Sequence, residues 1–162
     1  MTDPLLRVRG LTVPYEPEGQ AGVLAVDDVG FDVSEGEAVG LLGESGCGKT
    51  TTALALMGLL PPRARIVGGS VRLRGRELVG LPERELERVR GAGAALVFQE
   101  PALALNPVLR AGDQLAEVVR APRGGDRRRC RDEARTSLAR VALDPDRIYD
   151  AYPHELSGGQ RQ

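Results

Sequence analysis

The chain lacks tryptophan and has only five other aromatic residues, one histidine and two cysteines among its 162 residues. Five scattered aromatics are too few for a platform on which nucleic-acid bases stack. The 22 basic and 23 acidic side chains give a net charge of −1, so a general electrostatic attraction to nucleic acid is absent as well. Cys47 and Cys130 lie far apart, with no metal-ligand spacing around either. We expect both to be free thiols in a reducing cytosol.

A long hydrophobic run is also missing. No apolar stretch reaches the roughly 18 residues of a membrane-spanning helix, since the best candidate, Ala53–Leu60, is interrupted by Gly58 and followed by two prolines. The first residues lack the basic-then-apolar pattern of a secretory signal. With 41% hydrophobic and 28% charged residues, the composition is typical of one globular domain that is cytosolic or peripheral to a membrane.

Hydrophobic patterning predicts strands in the first two thirds of the chain. Apolar residues alternate with polar ones at Val29–Val33 and Val71–Leu73, the period of half-buried strands. Val8, Leu11 and Val13 indicate a first strand. Two continuous apolar runs, Ala38–Leu42 and Ala94–Phe98, are typical of fully buried strands.

Helical patterns are interspersed with these strands and dominate the later part. Lys49–Met57 is predicted to form a helix that ends at Gly58, and Pro82 is placed as the first residue of a short helix. The segment Asp126–Ala142 spaces its apolar residues for one helical face, namely Cys130, Ala134, Leu138, Val141 and Ala142. Strands alternating with helices predict an α/β core, and the helix-rich segment from about 105 to 155 predicts an inserted α-helical subdomain.

One segment matches every fixed position of the pattern G-x-x-x-x-G-K-[ST], namely Gly43, Glu44, Ser45, Gly46, Cys47, Gly48, Lys49 and Thr50. Glycines let successive backbone N–H groups turn inward toward phosphate oxygens, and the following helix adds its positive end. Lys49, the only lysine of the chain, would reach the β- and γ-phosphates, and the Thr50 hydroxyl would ligate Mg²⁺. The pattern therefore predicts a nucleotide-phosphate loop, which Thr51 extends into the helix.

A second anion-binding pattern lies near the last residue, in Leu156, Ser157, Gly158, Gly159 and Gln160. A serine at a helix N-cap followed by two glycines offers a hydroxyl and several unhindered backbone N–H groups. One ATP does not need two such sites so far apart on one chain. Two chains facing head to tail, each closing the nucleotide site of the other, would use both.

The two patterns together resemble the ATP-binding-cassette ATPases, the nucleotide-binding subunits of ABC transporters, over essentially the whole chain. The resemblance implies a P-loop NTPase (RecA-like) core with an N-terminal antiparallel β subdomain, and ATP and Mg²⁺ as cofactors. It identifies Gly43–Thr50 as the Walker A loop and Leu156–Gln160 as the signature motif. It also implies that Gln99 is the Q-loop glutamine that touches Mg²⁺ and senses the transmembrane partner. Tyr15 resembles the aromatic residue that stacks on adenine, and a core or turn residue is the alternative.

Three further stretches, Phe98–Pro101, Leu105–Leu109 and Tyr152–Gln160, look like the subfamily that serves dipeptide, oligopeptide and nickel importers. This similarity implies a second ATPase subunit, identical or not, and transmembrane permease subunits as partners. An extracytoplasmic substrate-binding protein would take part indirectly. The chain would then lie at the cytoplasmic face of the cell membrane.

The family's catalytic aspartate and glutamate lie beyond the signature, and this sequence has no match for them. We therefore assign no catalytic residue here and expect a truncated ABC domain with an incomplete core, weak nucleotide binding and no meaningful hydrolysis. Within residues 1–162 we place the β subdomain and P-loop core at about 1–100 and the helical subdomain at about 105–157.

Other ABC-type ATPases remain as alternatives. The chromosome-maintenance and DNA-repair members insert a very long coiled coil between the Q-loop and the signature, whereas Gln99 and Leu156 are only 57 positions apart (156 − 99) with no heptad run. A soluble ABC protein that acts in translation and a non-catalytic truncated remnant stay open.

Overall fold

A computed structural model of the protein describes residues 3–16, 18–19, 21–99 and 104–161. The chain folds into two compact units, Met1–Leu96 and Val97–Gln162. Within the described ranges, no helix is long and apolar enough to cross a bilayer. The predicted subdomain limits near residues 100 and 105 stay predictions.

The first unit is built on a four-stranded antiparallel sheet in the order β2-β1-β3-β4. Its strands are β1 (Leu6–Tyr15), β2 (Val23–Val33), β3 (Gly68–Leu73) and β4 (Arg76–Glu77). The three predicted strands, at Val8–Val13, Val29–Val33 and Val71–Leu73, are thereby confirmed. The central strand β1 carries the three side chains that form the middle of the core, Val8, Leu11 and Val13, all with no exposed surface.

Two short helices complete this unit. The predicted helix after the glycine-rich loop is confirmed as α1 (Lys49–Leu56), which buries Ala55 in the same core as β1. The second helix is α2 (Glu83–Val89), and Pro82 is its N-cap in an extended conformation. The prediction that Pro82 is the first helical residue is wrong by one position, because its ψ of 150° is not helical.

The two predicted buried strands are wrong. Ala38–Leu42 forms no strand and is exposed, with Leu42 at 96%. Ala94–Phe98 contains a single bridge, from Arg90 to Ala94, and Val97 is 87% exposed. A strand of this kind needs partners that hydrogen-bond to it on either side, and no described segment pairs with either run in that way.

The second unit is helical. It contains α3 (Ala111–Arg123), α4 (Arg127–Arg140), α5 (Pro145–Asp150), a 3-10 turn at Pro153–Glu155, and α6 (Gly158–Arg161). Its core combines residues of these helices and the loop before α6, with Ala111, Ala134, Leu138, Ile148, Tyr149 and Leu156 buried together.

The predicted buried face of α4 is confirmed at three of its five positions. Cys130, Ala134 and Leu138 are buried at spacings of four. Val141 and Ala142 do not continue that face, because the helix ends at Arg140. Val141 is 66% exposed, and Ala142 adopts a left-handed φ of 58° that stops the helical turn.

Candidate functional site

The glycine-rich segment forms a loop that is exposed from Gly43 to Cys47, becomes buried at Gly48 and continues as α1 from Lys49. Gly48 is the N-cap, with φ 90° and ψ 2°, a left-handed conformation that L-residues rarely adopt. A Cβ at Gly48 would also overlap the carbonyl oxygen of Ala25 in β2. Glycine is required here twice, by the backbone angle and by the close approach to the sheet.

Space for a side chain is also restricted at the other end of the loop. Gly43 has φ 155°, and a Cβ there would lie 2.5 Å from the Cys47 Sγ. The Cys47 N–H donates to the Glu44 carbonyl at 3.4 Å, which turns the loop back on itself. Cys47 is therefore a packing neighbour of Gly43 inside the loop, and it is an exposed free thiol.

Lys49 lies in the concave side of this loop. Its Nζ donates hydrogen bonds to the carbonyl oxygens of Gly43 at 2.8 Å and Glu44 at 2.6 Å, and it lies 3.4 Å from the Cys47 Sγ. The loop thus holds the ammonium group of the chain's one lysine between its own carbonyl groups. An anion brought into the loop would meet this charge at hydrogen-bonding distance.

The amides at the start of α1 face the same loop. The first intrahelical bond runs from the Thr52 N–H to the Gly48 carbonyl at 2.8 Å. Helix geometry leaves the N–H groups of Lys49, Thr50 and Thr51 without an intrahelical acceptor, and no side chain caps them. These open donors and the ammonium make an anion site suited to phosphate, with the exposed Thr50 side chain beside it.

Tyr15 ends β1, where it pairs with Val23 and forms a bridge with Ala64. Its half-buried side chain packs against the core of the first unit. This contact supports the alternative that Tyr15 is a core residue, and its stacking on adenine stays a prediction.

Gln99 belongs to the second unit and is exposed in a bend. The residues after Gln99 up to 103 lie outside the described ranges, which leaves out Glu100 and Pro101 of the predicted subfamily pattern. The following stretch of that pattern is held by Gln114 of α3. The Gln114 Oε1 accepts from the Asn106 N–H at 2.8 Å, and its Nε2 donates to the Asn106 and Leu109 carbonyls, each at 3.0 Å.

The signature segment places its residues in two environments. Leu156 is 5% exposed and packs in the core of the second unit, whereas Ser157, Gly158 and Gly159 are exposed. The predicted N-cap is confirmed, because the Ser157 Oγ accepts from the Gln160 N–H at 3.3 Å. In return the Gln160 Oε1 accepts from the Ser157 N–H at 3.0 Å, which completes a capping box.

The segment before the signature is ordered by ring contacts and charge. Tyr152 stacks on His154 with ring centroids 5.8 Å apart, and the Arg110 guanidinium lies 5.9 Å from the Tyr152 ring. The neighbouring Tyr152 side chain and the Asp150 carboxylate, which accepts from Arg110 Nη1 at 2.8 Å, raise the pKa of Arg110 above its ordinary value. Arg110 is therefore held as a cation between α5 and the residues that lead into the signature.

A close contact between two helices shapes the same unit. A Cβ at Gly112 of α3 would overlap the Tyr149 ring of α5, so glycine lets this ring lie directly on the helix. Burial, followed by the nearby Asp113 carboxylate, raises the pKa of Tyr149. The neutral phenol donates to Asp113 Oδ1 at 3.4 Å.

The structure adds residues that the sequence argument did not select. Gln114 holds the Asn106 segment, and Gly112 seats Tyr149. Arg90 of the first unit contacts the carboxyl end of α1 through a pair of hydrogen bonds. For Gly112, an isolated glycine in a helical pattern was a usable signal. The partners of Gln114 and Arg90 carry no sequence signal, because each depends on a specific fold of the intervening chain.

Two curated relatives match nearly all of this chain. A putative peptide import ATP-binding protein of Brucella melitensis biotype 1 is 45% identical over 162 residues, which are 99% of this chain and 48% of that protein. The oligopeptide transport ATP-binding protein OppD of Escherichia coli strain K12 is 43% identical over 99% of this chain and 47% of its own length. This chain thus spans about half the length of the curated relatives that it matches.

Solved structures agree with this similarity. The ATP-binding cassette MJ0796, determined as a dimer in a post-hydrolysis state with ADP and phosphate bound, superposes with a TM-score of 0.80 at 26% identity. The match covers 96% of this chain and 65% of that chain. The predicted α/β P-loop NTPase fold class is thereby confirmed.

The family model described as ABC transporter matches residues 26–162. This range includes both the glycine-rich loop before α1 and the serine-capped segment before α6. With the two close relatives and the superposed cassette, it shows that the chain belongs to the ABC transporter family.

Proposed function

We propose that this chain is the ATP-binding portion of a subunit that powers the import of peptides across a membrane. The observation that carries the proposal is the loop Gly43–Thr50, where an ammonium group and three uncapped helix amides converge. The names of the relatives, which refer to peptide import and oligopeptide transport, favour peptides as cargo. Nickel, the other cargo class of the resembling subfamily, is the alternative.

The loop residues bind and orient the triphosphate of ATP. The Lys49 ammonium would exchange its bonds to the Gly43 and Glu44 carbonyls for phosphate oxygens, while the amides at the start of α1 donate to the same group. Mg²⁺, when bound, neutralises charge on the phosphates. The Thr50 hydroxyl fits such an ion, because Mg²⁺ in nucleotide sites is held by few protein oxygens together with phosphate and water. Gln99 is our proposed second contact to Mg²⁺.

The signature serves the nucleotide of a facing subunit. Ser157 and the exposed Gly158 and Gly159 offer a hydroxyl and unhindered amides, which suits the phosphates of an ATP held by the loop of another copy or a sibling subunit. The dimeric state of the MJ0796 cassette supports this arrangement. Permease subunits, approached from the cytoplasmic face of the membrane, and an extracytoplasmic binding protein complete the proposed importer.

Binding of MgATP by the 162-residue chain, measured by isothermal titration calorimetry, tests the nucleotide site. We expect weak binding by the unaltered chain and loss of binding in Lys49→Ala. Ser157→Ala is the matched control, because it removes a polar group from the other motif and should leave the Kd of the single chain unchanged. Equal loss in both variants would contradict the shared-site arrangement.

Uptake in cells separates the proposed cargoes. Cells that lack the gene should lose uptake of a labelled tripeptide and keep uptake of ⁶³Ni²⁺, and restoring the gene should return peptide uptake. Loss of nickel uptake alone would assign the importer to the metal. A Lys49→Ala gene should fail to restore uptake, which ties transport to the phosphate loop.

A further inference from the structure

Arg90 reaches across the first unit to the carboxyl end of α1. Its Nε donates to the Met57 carbonyl at 2.9 Å, and its Nη2 donates to the Gly58 carbonyl at 2.8 Å. Met57 and Gly58 directly follow the last residue of α1. Only 19% of the Arg90 side chain is exposed, so this contact is shielded from water more than the other arginine contacts of the unit are.

The guanidinium is itself held in place. Its Nη1 and Nη2 donate to the two carboxylate oxygens of Glu83, the first residue of α2. Beside it, Gly58 has a left-handed φ of 61°, and a Cβ there would lie 2.8 Å from Leu86 Cδ1. Leu86 of α2 therefore packs against Gly58. Arg90, the residue that follows α2, hydrogen-bonds to the carboxyl end of α1.

This contact should stabilise the end of α1 more than an ion pair on the surface would. The Met57 and Gly58 carbonyls lie just past the last residue of α1, where a cation is favoured by the negative end of the helix dipole. Hydrogen bonds from a charged donor are stronger than neutral ones. Because α1 has eight residues, it is only about 12 Å long, so a displacement of one end is carried to the other.

We propose that Arg90 is a positioning residue of the phosphate loop: by fixing the carboxyl end of α1, it sets where Lys49 and the open amides of Thr50 and Thr51 lie. The inference rests on the proposed nucleotide site and adds a residue to it that does not touch the ligand. Arg90 acts through α1, and Glu83 acts through Arg90.

Amide hydrogen exchange on the nucleotide-free chain tests the positioning directly. Arg90→Ala should accelerate exchange along the whole of α1, including the Thr52 amide bonded to Gly48 at the loop end. Arg88→Ala is the matched control, since Arg88 is exposed on the same helix and has no ion pair within the part of the chain that the structure describes. Acceleration confined to residues 57–59 would overturn the proposal, because Arg90 would then only cap the helix end.

Nucleotide binding supplies the second readout. Arg90→Ala should raise the Kd for MgATP on the order of fivefold, a size expected when a contact outside a site shifts the geometry of that site, whereas Arg88→Ala should leave it unchanged. Arg90→Lys keeps the charge and loses the fork that serves two carbonyls and a carboxylate, so it should fall between the two. A Kd for Arg90→Ala equal to that of Arg88→Ala would overturn the proposal.

The two experiments distinguish failure of the Arg90 proposal from failure of the proposed function. If the unaltered chain binds no MgATP, the proposed nucleotide site fails, and hydrogen exchange still decides whether Arg90 orders the loop end of α1. If Arg90→Ala does not fold, Glu83→Gln replaces it. This variant leaves the two carbonyl contacts in place and removes the carboxylate that orients them, so it should accelerate exchange at Thr52 by a smaller factor.

Discussion

The phosphate loop and the signature both place glycines at the start of a helix, but the first amides of the two helices are capped differently. Gly48 caps α1 with no side chain, so the first amides remain open. The Ser157 hydroxyl caps α6, and the Gln160 Oε1 accepts a hydrogen bond from the Ser157 N–H. In the single chain the amides of the first loop are open to an anion, and its Lys49 ammonium is bonded to the Gly43 and Glu44 carbonyls. The second has its serine hydroxyl engaged internally.

This difference fits the division of roles that we propose. A loop that binds ATP in its own subunit gains from helix amides that are already open, and only its Lys49 ammonium has to leave the Gly43 and Glu44 carbonyls. A segment that waits for the nucleotide of another subunit is exposed to water in the meantime. Its internal capping bonds satisfy polar groups until that partner is present, and they hold the segment in one conformation.

The largest expected effect contrasts Leu156, the first residue of the signature, with Leu42, which directly precedes the phosphate loop. Leu156→Ala should lower the free energy of unfolding by about 3 kcal/mol, since Leu156 is 5% exposed and its loss leaves a cavity in the core. Leu42→Ala should change it by less than about 0.5 kcal/mol, because Leu42 is 96% exposed. Urea unfolding followed by circular dichroism measures both. Equal losses would show that the segment before the phosphate loop is buried in solution.

Next in size is the loss of the loop cation. Lys49→Ala should raise the Kd for MgATP about 100-fold, because two or three charge-assisted hydrogen bonds to phosphate disappear. Calorimetric titration provides the measurement. Unchanged affinity in Lys49→Ala would mean that the open amides alone hold the nucleotide, and the contrast between the two motifs would then rest on backbone geometry.

A smaller contrast concerns the glycines. Gly48→Ala should destabilise the chain by about 2 kcal/mol, since it places a Cβ at φ 90° and against Ala25. Gly158→Ala should be neutral within about 0.5 kcal/mol, because nothing lies within 4 Å of a Cβ there. The difference between their thermal midpoints is the measured quantity. A large destabilisation by Gly158→Ala would show that the surroundings of Gly158 are more crowded in solution than the structure indicates.

The smallest expected effect tests the capping box formed by Ser157 and Gln160. Ser157→Ala should lower the free energy of unfolding of the second unit by about 1 kcal/mol, the usual loss when a helix N-cap is removed. Gln160→Glu keeps an acceptor for the Ser157 amide and serves as the control, with little change expected. Thermal unfolding of both variants gives the comparison. A stability of Ser157→Ala equal to that of the unaltered chain would mean that the hydroxyl is already free for a partner.

Local patterns predicted the local elements. The alternation in β2 and β3, the apolar residues of β1 and the spacing of Cys130, Ala134 and Leu138 are local patterns, and the structure confirms the elements that they predict. The glycine pattern of the phosphate loop was equally readable, since positive φ angles and a following helix are local demands.

Features that depend on distant partners were not predictable. The runs Ala38–Leu42 and Ala94–Phe98 have the composition of buried strands, but composition does not supply the neighbouring strands that such a strand needs. The contact of Arg90 with the end of α1 joins residues 33 positions apart in sequence, and one arginine among 21 gives no sign of it. The roles of Tyr15 and Gln99 stay predictions for the same reason.

Helix α1 lies between two glycines in left-handed conformations, Gly48 at φ 90° and Gly58 at φ 61°. A slip of this helix by one residue would force Cys47 or Lys49 into the first of these angles, at about 1–2 kcal/mol for each such residue. The register of the helix is thus set at both ends by stereochemistry, independently of its modest hydrophobic face. Insertions or deletions between residues 48 and 58 should therefore be tolerated poorly even where every side-chain contact is kept.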